Sequence, residues 1–295
     1  MTILSVDEAE SVEFWQKLRP DLTIEGDRPS PRFEIRDVVR LLGQLRFEGY
    51  VNMPAIVPDA YVGPLRECVR CLYEESIPLP FAFVYDEFWL AFQGISRLLE
   101  GALGKGYRAM PGFWAWYLPP SEGAAGWSPH RDRLQPAVDD DNSPHVLTIW
   151  MALSDATPIN GCIYLLPAHL DERFQARVWD GDDNAVVKEP QNIRAVPAAA
   201  GSILAWNQGV LHWGGRASRL ASTPRCSLSW EFQRGDKPPF SKPLLDPHKI
   251  PPFRERLGLI GMQFLQYRHM HAMSEDLVAI ATHLRDRFMP GSAGA

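Results

Sequence analysis

The sequence contains little that would mark a secreted, membrane-spanning or nucleic-acid-binding protein. Only 4 cysteines occur among 295 residues, too few and too scattered for the disulfide framework of a secreted domain, so we expect free thiols. No apolar run reaches the roughly 18 residues needed to cross a bilayer, and the N-terminus lacks the basic start and apolar core of a secretion signal. The formal net charge of -6 disfavours nucleic acid and anionic membrane as partners. These absences predict a soluble, cytoplasmic protein with no nucleic-acid and no membrane partner.

The bulk composition is that of an ordinary globular protein. Hydrophobic residues make up 45% and charged residues 22% of the sequence, which argues against a disordered or collagen-like chain. A length of 295 residues fits one large β-rich domain or two small ones. The fold must therefore be predicted from sequence patterns.

Apolar residues at helical spacing dominate the first hundred residues. Cys68 and Cys71 form a C-x-x-C motif inside one of these helical runs, so we interpret them as packing residues rather than as a redox dithiol. The predicted helices begin at the potential capping residues Asp37, Asp59 and Asp86 and end at Glu48, Glu75 and Leu103, with a short strand at 50–53 after the first.

From Gly112 the pattern changes to short β-type runs separated by Pro, Gly, Asn and Asp, which is typical of an all-β sandwich or barrel. Runs this short and numerous predict a double-stranded β-helix, the jelly-roll core of cupin-like proteins. The predicted strands are 113–118, 127–133, 145–153, 161–166, 202–207, 210–213 and 225–233.

Helical patterns return after a proline-rich stretch that begins at Pro238, over about 253–267 and 274–288. No linker composition separates these helices from the β-rich part. We therefore expect one mainly β domain with flanking helices. Its parts are a helical flank over 1–111, the jelly-roll core over 112–237 and a second helical flank over 238–295.

The segment Ser-Pro-His130-Arg-Asp132-Arg holds the first chemically suggestive pattern. Residues two apart on a strand point to the same face, so this imidazole and this carboxylate converge and could bind one metal ion. A His-x-Asp alone is weak evidence, because chance produces it readily in a chain with 8 histidines. A third ligand is therefore required.

His212, between two predicted strands far along the chain, offers that third ligand. Two histidines and one carboxylate on one face of a metal leave three positions open, which is the geometry of non-haem iron(II) oxygenases. These open positions are what a cosubstrate and O2 need. The sequence thus predicts an Fe(II) site at His130, Asp132 and His212.

Arg225 lies at the start of the last predicted core strand, and Ser227 lies on the same strand face. A guanidinium is a flat two-pronged donor for a carboxylate, and the hydroxyl can add a further donor. The pair forms a suitable clamp for the distal carboxylate of a 2-oxoacid. Arg216 is a competing anchor, but it lies too close to His212 for this placement.

These motifs resemble, in order, the phytanoyl-CoA dioxygenase family of iron(II)- and 2-oxoglutarate-dependent oxygenases. The resemblance covers roughly 113–232 and is carried by His130-x-Asp132, Leu147 to Leu153, Asn160-Gly161 to Pro167, Ala200-Gly201-Ser-Ile-Leu, His212 and Arg225. One departure occurs where the family usually has Pro-Gly-Ser-His, because this chain has Pro167-Ala168-His169-Leu170. The resemblance implies that His130, Asp132 and His212 bind iron and that Arg225, with Ser227 as a helper, binds 2-oxoglutarate.

The substrate pocket is less clearly encoded. Tyr117 and Trp213 are our candidates for its walls among the many aromatic residues of the β-core. Arg131 and Arg133 should point away from the metal by strand alternation, so we interpret them as surface charges.

The function expected from these features is an enzyme, a 2-oxoglutarate-dependent non-haem iron dioxygenase. It would hydroxylate or otherwise oxidise an unactivated C-H bond of a small-molecule substrate, with release of succinate and CO2. The carboxylate of Asp132 disfavours halogenation, since related halogenases have a small residue in its place. Two alternatives are a cupin-like metalloprotein with non-oxygenase chemistry and a non-catalytic jelly-roll binding protein. No oligomeric state is predicted.

Overall fold

The computed structural model describes residues 4–133, 136–178, 190–268 and 273–289. Helices precede and follow the β-rich part, as predicted. They are α1 (Val6–Glu10), α2 (Val12–Leu18), α3 (Val38–Glu48), α4 (Asp59–Glu74), α5 (Asp86–Gln93), α6 (Ser96–Leu103), α7 (Glu172–Gln175), α8 (Phe253–Gln266) and α9 (Glu275–Phe288). Within these described ranges, no helix is long and apolar enough to span a bilayer.

The predicted helix from Asp86 to Leu103 is two helices, because the chain breaks at Gly94. The ring of Phe33 lies against this glycine so closely that a Cβ there would be 2.3 Å from Phe33 Cε2. The Phe33 amide also donates to the Gly94 carbonyl at 3.2 Å, which occupies an acceptor of the helical ladder. A tertiary contact therefore ends α5.

The predicted capping by three aspartates is confirmed only for the position of Asp37. Asp37 is the N-cap residue of α3 but makes no side-chain capping bond, and the N-caps of α4 and α5 are Pro58 and Tyr85. Asp86 instead accepts hydrogen bonds from the backbone amides of residues 25 and 26 and pairs with buried Arg256 at 2.6 Å. Its carboxylate thus connects the N-terminal segment to α8.

Two antiparallel sheets form the β-core. The strands are β1 (Tyr50–Met53), β2 (Arg108–Leu118), β3 (Val146–Ala152), β4 (Ile163–Leu165), β5 (Arg194–Val196), β6 (Ile203–Asn207), β7 (His212–Gly214) and β8 (Arg225–Gln233). The larger sheet has five strands in the order β1-β6-β3-β8-β2, and the smaller has three in the order β5-β4-β7. Non-consecutive neighbours in both sheets are what a jelly-roll connectivity requires.

The five-stranded sheet packs on helices with one face and on the smaller sheet with the other. Alternate residues of each strand point to opposite faces. Leu147, Ile149 and Leu228 belong to the core shared with the helices, whereas Trp150, Leu204 and Trp206 pack with Ile163 and Val196 of the smaller sheet. The predicted class, mainly β with flanking helices, is confirmed.

The segment 127–133 was predicted as a strand, but it pairs only at isolated points. His130 forms a single bridge with His212, and the Trp127 carbonyl accepts from the Gly214 amide at 3.2 Å. Pro129 lacks an amide proton, which prevents regular pairing. The segment therefore runs beside β7 as an extended loop, and β5 is a short strand that the sequence pattern did not predict.

Candidate metal centre

The backbones of His130 and His212 hold each other in place. Each amide donates to the carbonyl of the other at 3.0 Å. Residues directly opposite in an antiparallel pair project to the same side. Two histidines distant in sequence thus present their imidazoles to one point, with ring centroids 4.4 Å apart.

Asp132 completes a triad of potential ligands. Its Oδ1 lies 3.4 Å from His130 Nε2 and 3.5 Å from His212 Nε2. One ligand atom from each of the three residues lies within 4.8 Å of the other two. The sequence-predicted triad is therefore brought together, at separations that suit ligands around one ion.

The hydrogen bonds of the two imidazoles fix which nitrogen faces the centre. His130 Nδ1 contacts the Ser128 carbonyl at 2.7 Å, and His212 Nδ1 contacts the Val210 carbonyl at 3.0 Å. A carbonyl only accepts, so each Nδ1 carries the proton and each neutral ring directs the lone pair of Nε2 inward. Burial lowers the pKa of His212 to about 4, which keeps this ring neutral at pH 7.

The second oxygen of Asp132 is anchored by two donors. Thr148 Oγ1 donates to Oδ2 at 2.7 Å, and Trp206 Nε1 donates to the same oxygen at 3.1 Å. Burial raises the pKa of this carboxyl, but the facing imidazoles and the Thr148 hydroxyl outweigh burial and hold its pKa below the ordinary value. Asp132 therefore stays ionised with Oδ1 directed at the histidines, the arrangement of an oriented ligand.

Arg225 opens into the same cavity as the triad. Arg225 is 1% exposed. Its Nη1 donates to the Gly161 carbonyl at 2.8 Å, and its guanidinium lies 6.0 Å from the ring centroid of Trp150. Among the described residues, Arg225 Nε has no hydrogen-bond partner, and no carboxylate lies within ion-pair distance of the guanidinium. Burial lowers its pKa to about 10. A buried guanidinium of this kind is suited to an anionic ligand.

Gly161 explains the local sequence around this arginine. Its φ of +88° is in the left-handed region, and a Cβ there would be 2.5 Å from the Gly215 carbonyl oxygen. Only glycine fits this turn, which directs its own carbonyl at Arg225. The Asn160-Gly161 block therefore contributes to the position of the guanidinium.

Ser227 lies on the same strand face as Arg225, as expected, but is not among the residues that line the cavity. Its buried Oγ has no hydrogen-bond partner within the described part of the chain. Ser229, two residues further along β8, does line the cavity. A helper role of Ser227 stays a prediction.

The structure corrects the placement of Tyr117 and Trp213, because neither lines the cavity. Tyr117 lies on the opposite face of β2 and stacks on Tyr73, with ring centroids 4.2 Å apart. Trp213 alternates away from His212 and stacks on Tyr164 at 5.7 Å. The aromatic residues that do line the cavity are Phe113, Trp114, Trp116, Trp127, Trp150, Trp206 and Tyr267.

Arg131 and Arg133 are not the surface charges we predicted. The Arg131 side chain is 0% exposed and pairs with Asp171 at 2.8 Å. Arg133 donates to Gln208 Oε1 at 2.7 Å and to Glu231 Oε2 at 3.2 Å. Neither arginine lines the cavity, in agreement with strand alternation, but the side of this extended loop that faces away from the metal centre contacts protein rather than solvent.

Two other residues considered from the sequence lie outside the cavity. Arg216 is exposed and does not line it. His169 stacks on Phe47 with ring centroids 4.3 Å apart. Neither contributes to the triad.

Glu231 is a cavity residue that sequence reasoning missed. It is 9% exposed, and burial raises its pKa to about 7 despite the nearby Arg133. It lies opposite Thr148 in the β3–β8 register. Strand alternation from Arg225, through residues 227 and 229, would have placed it on the cavity face.

Comparison with known proteins supports the family resemblance. Residues 82–220 match the sequence profile of the phytanoyl-CoA dioxygenase family. The matched region contains His130, Asp132 and His212 and ends before Arg225. The predicted resemblance to this family is confirmed. None of the curated proteins matches the chain.

Solved structures with similar folds include enzymes that use 2-oxoglutarate. The epimerase SnoN, solved with Fe3+, alpha ketoglutarate and nogalamycin RO, is 19% identical, with a TM-score of 0.52 over 73% of this chain and 94% of that chain. The carbocyclase SnoK from nogalamycin biosynthesis is 18% identical, with a TM-score of 0.52 over 74% of this chain and 100% of that chain. EctD from S. alaskensis, solved with 2-oxoglutarate and 5-hydroxyectoine, is 13% identical, with a TM-score of 0.53 over 79% of this chain and 95% of that chain. At these identities the likeness shows the fold.

Proposed function

We propose that this chain, which carries the phytanoyl-CoA dioxygenase signature over residues 82–220, is an iron(II)- and 2-oxoglutarate-dependent oxygenase of a small molecule. The observation that carries the proposal is a single shared cavity. It is lined both by the triad of His130, Asp132 and His212 and by the buried Arg225. A metal site and an anion site in one cavity are what this chemistry needs. Its cytoplasmic localisation stays a prediction from the sequence.

His130 and His212 would hold Fe(II) through Nε2, and Asp132 would hold it through Oδ1. Neutral imidazoles and an anchored carboxylate fit a divalent ion, and three ligands leave room for a cosubstrate and O2. Thr148 and Trp206 position the carboxylate through its other oxygen.

Arg225 would bind the distal carboxylate of 2-oxoglutarate. A guanidinium can donate two parallel hydrogen bonds to a carboxylate, and the dicarboxylate would supply the negative charge that Arg225 lacks inside the protein.

The proposed reaction oxidises an unactivated C-H bond. With both cosubstrates bound, iron(II) supplies the oxidising chemistry: R-H, 2-oxoglutarate and O2 give R-OH, succinate and CO2. One oxygen atom enters the product and the other enters succinate. The residues of this chain bind and orient the reactants.

Anaerobic calorimetry tests the proposal. The protein should bind Fe(II), and 2-oxoglutarate should then bind in a metal-dependent way. Asp132→Ala should abolish metal binding, and Arg225→Met should weaken 2-oxoglutarate binding with metal binding retained. Metal binding without any effect of Arg225→Met would instead favour a cupin-like metalloprotein, and absence of metal binding would favour a binding protein.

A further inference from the structure

Glu231 introduces a second carboxylate beside the candidate metal centre. It lies directly opposite Thr148, whose hydroxyl holds Asp132, on the cavity face of the five-stranded sheet. Residues paired in this way have Cβ atoms roughly 5 Å apart. A group that contacts Glu231 would therefore lie next to the candidate metal centre.

The protein compensates the charge of this carboxylate only in part. Arg133 Nη2 pairs with Oε2 at 3.2 Å, and Gln208, which accepts from the same guanidinium, also stabilises the charged form. The Tyr267 hydroxyl donates to Oε1 across a long 3.4 Å. A carboxylate offers about four acceptor positions. Burial raises the pKa of Glu231 despite Arg133, in agreement with an incompletely compensated charge.

Gly112 leaves space for this carboxylate. A Cβ at position 112 would be 2.5 Å from Glu231 Cδ and Oε2. Gly112 lies where the β2–β8 register is interrupted between residues 109 and 113, and it lines the cavity. The irregular strand thus lets the carboxylate lie against backbone at the cavity wall.

Aromatic faces surround the same region. Trp127 stacks on Tyr267 with ring centroids 5.0 Å apart, and Trp114 is 5.5 Å from Tyr267 and 5.8 Å from Trp127. Indole and phenol faces carry negative electrostatic potential and attract ammonium groups. Among the described residues that line the cavity, Arg225 is the only arginine or lysine, and it is six positions away along β8, roughly 20 Å at 3.3 Å per residue. Arg133 pairs with Glu231 but is not among the lining residues.

We infer that the substrate carries a basic amine or quaternary ammonium nitrogen, which binds between the Glu231 carboxylate and the aromatic wall formed by Trp114, Trp127 and Tyr267. This inference rests on the proposed oxygenase function, because it assigns the substrate of that site. Glu231 is thereby a specificity-determining residue, which directs carbons near the nitrogen to the metal.

Paired probes that differ in charge test the inference without turnover. Choline and 3,3-dimethylbutan-1-ol have the same shape, but only choline is charged. The full chain is titrated with each, both metal-free and loaded with Fe(II) and 2-oxoglutarate in the absence of O2. Binding is measured by calorimetry and by indole fluorescence. We expect choline to bind at least about tenfold more tightly than the alcohol.

Variants locate the binding site of the cation. Glu231→Gln should reduce the preference for choline, the ratio of the dissociation constants of the alcohol and choline, to near one. Glu231→Asp should retain part of this preference. Glu122→Gln, an exposed glutamate, is the matched control and should behave as the wild type. In metal-free protein, Asp132→Asn should keep the preference, because the inferred site uses the other carboxylate.

Several outcomes would overturn the inference. They are equal binding of both probes, no saturable binding of choline, or a preference that persists in Glu231→Gln but disappears in Asp132→Asn. A preference in metal-free protein that fails to take up Fe(II) would support the amine site and contradict the oxygenase proposal. The two failures are therefore distinguishable.

Discussion

Arg131 and Arg225 are both buried, but among the described residues only Arg131 has a carboxylate partner, Asp171 at 2.8 Å. Removal of one member of a buried ion pair leaves an uncompensated charge, whereas removal of a lone buried charge leaves none. We therefore expect the two arginines to have different roles. Arg131 contributes to the stability of the fold, and Arg225 binds a ligand.

Methionine substitutions should separate these roles. Arg131→Met should lower the free energy of unfolding by about 3–5 kcal/mol, because Asp171 stays buried without its partner. Arg225→Met should leave it within about 1 kcal/mol of the wild type or raise it, and should weaken 2-oxoglutarate binding about 10- to 100-fold. Denaturant unfolding without 2-oxoglutarate and anaerobic calorimetry measure the two effects. Equal destabilisation by both substitutions would contradict the assignment of Arg225 to a ligand.

Thr148→Val should weaken the metal centre without changing any ligand. The substitution removes the hydroxyl that holds Asp132 Oδ2 at 2.7 Å. Loss of such a supporting bond reduces metal affinity about 10- to 100-fold. Thr282→Val, which removes a hydroxyl bonded to the Val278 carbonyl in α9, is the control and should leave Fe(II) affinity unchanged. Equal Fe(II) affinity of Thr148→Val and wild type would show that the hydroxyl does not orient Asp132.

Much of the fold could be predicted from the sequence because its elements follow local patterns. The predicted strand 225–233 and the strand 50–53 have the observed limits, and α3, α8 and α9 lie within a residue of prediction. The break at Gly94 could not be predicted, because it depends on Phe33, which is distant in sequence. Likewise, β5 is short and mostly exposed, so it lacks an apolar pattern.

The candidate ligands could be predicted from residue types and order, but the cavity walls could not. Strand alternation identifies a face only when the register is known. The interruption of β2 between residues 109 and 113 changes which aromatic residues reach the cavity. This is why Trp114 and Trp116 line it whereas Tyr117 packs on Tyr73.

Glu231 should make the stability of the metal-free protein depend on pH. Its pKa is raised from 4.5 to about 7 by burial, so the folded state holds a proton that the unfolded state releases. The protonated carboxyl therefore contributes its full share to the free energy of unfolding below about pH 4.5. This contribution, up to about 3 kcal/mol, is lost as the pH rises to about 7. Relative to wild type, Glu231→Gln should gain stability between pH 5 and pH 8. Unfolding of both proteins at the two pH values measures this difference. Parallel pH profiles would mean that the carboxyl titrates normally.

Gly112→Ala tests whether the irregular part of β2 exists to accommodate Glu231. The new Cβ would be 2.5 Å from the buried carboxylate, so either the strand or the glutamate must move. Overpacking of this kind lowers the free energy of unfolding by about 1–3 kcal/mol. Because the carboxylate can move only away from Gly112, the preference for choline over its uncharged analogue should also fall. Gly106→Ala is the matched control, since a Cβ there would meet nothing within 4 Å, and its stability should equal or slightly exceed that of wild type. A Gly112→Ala protein with unchanged stability and unchanged choline preference would mean that the carboxylate does not lie against this glycine, and the amine site would lose its geometric basis.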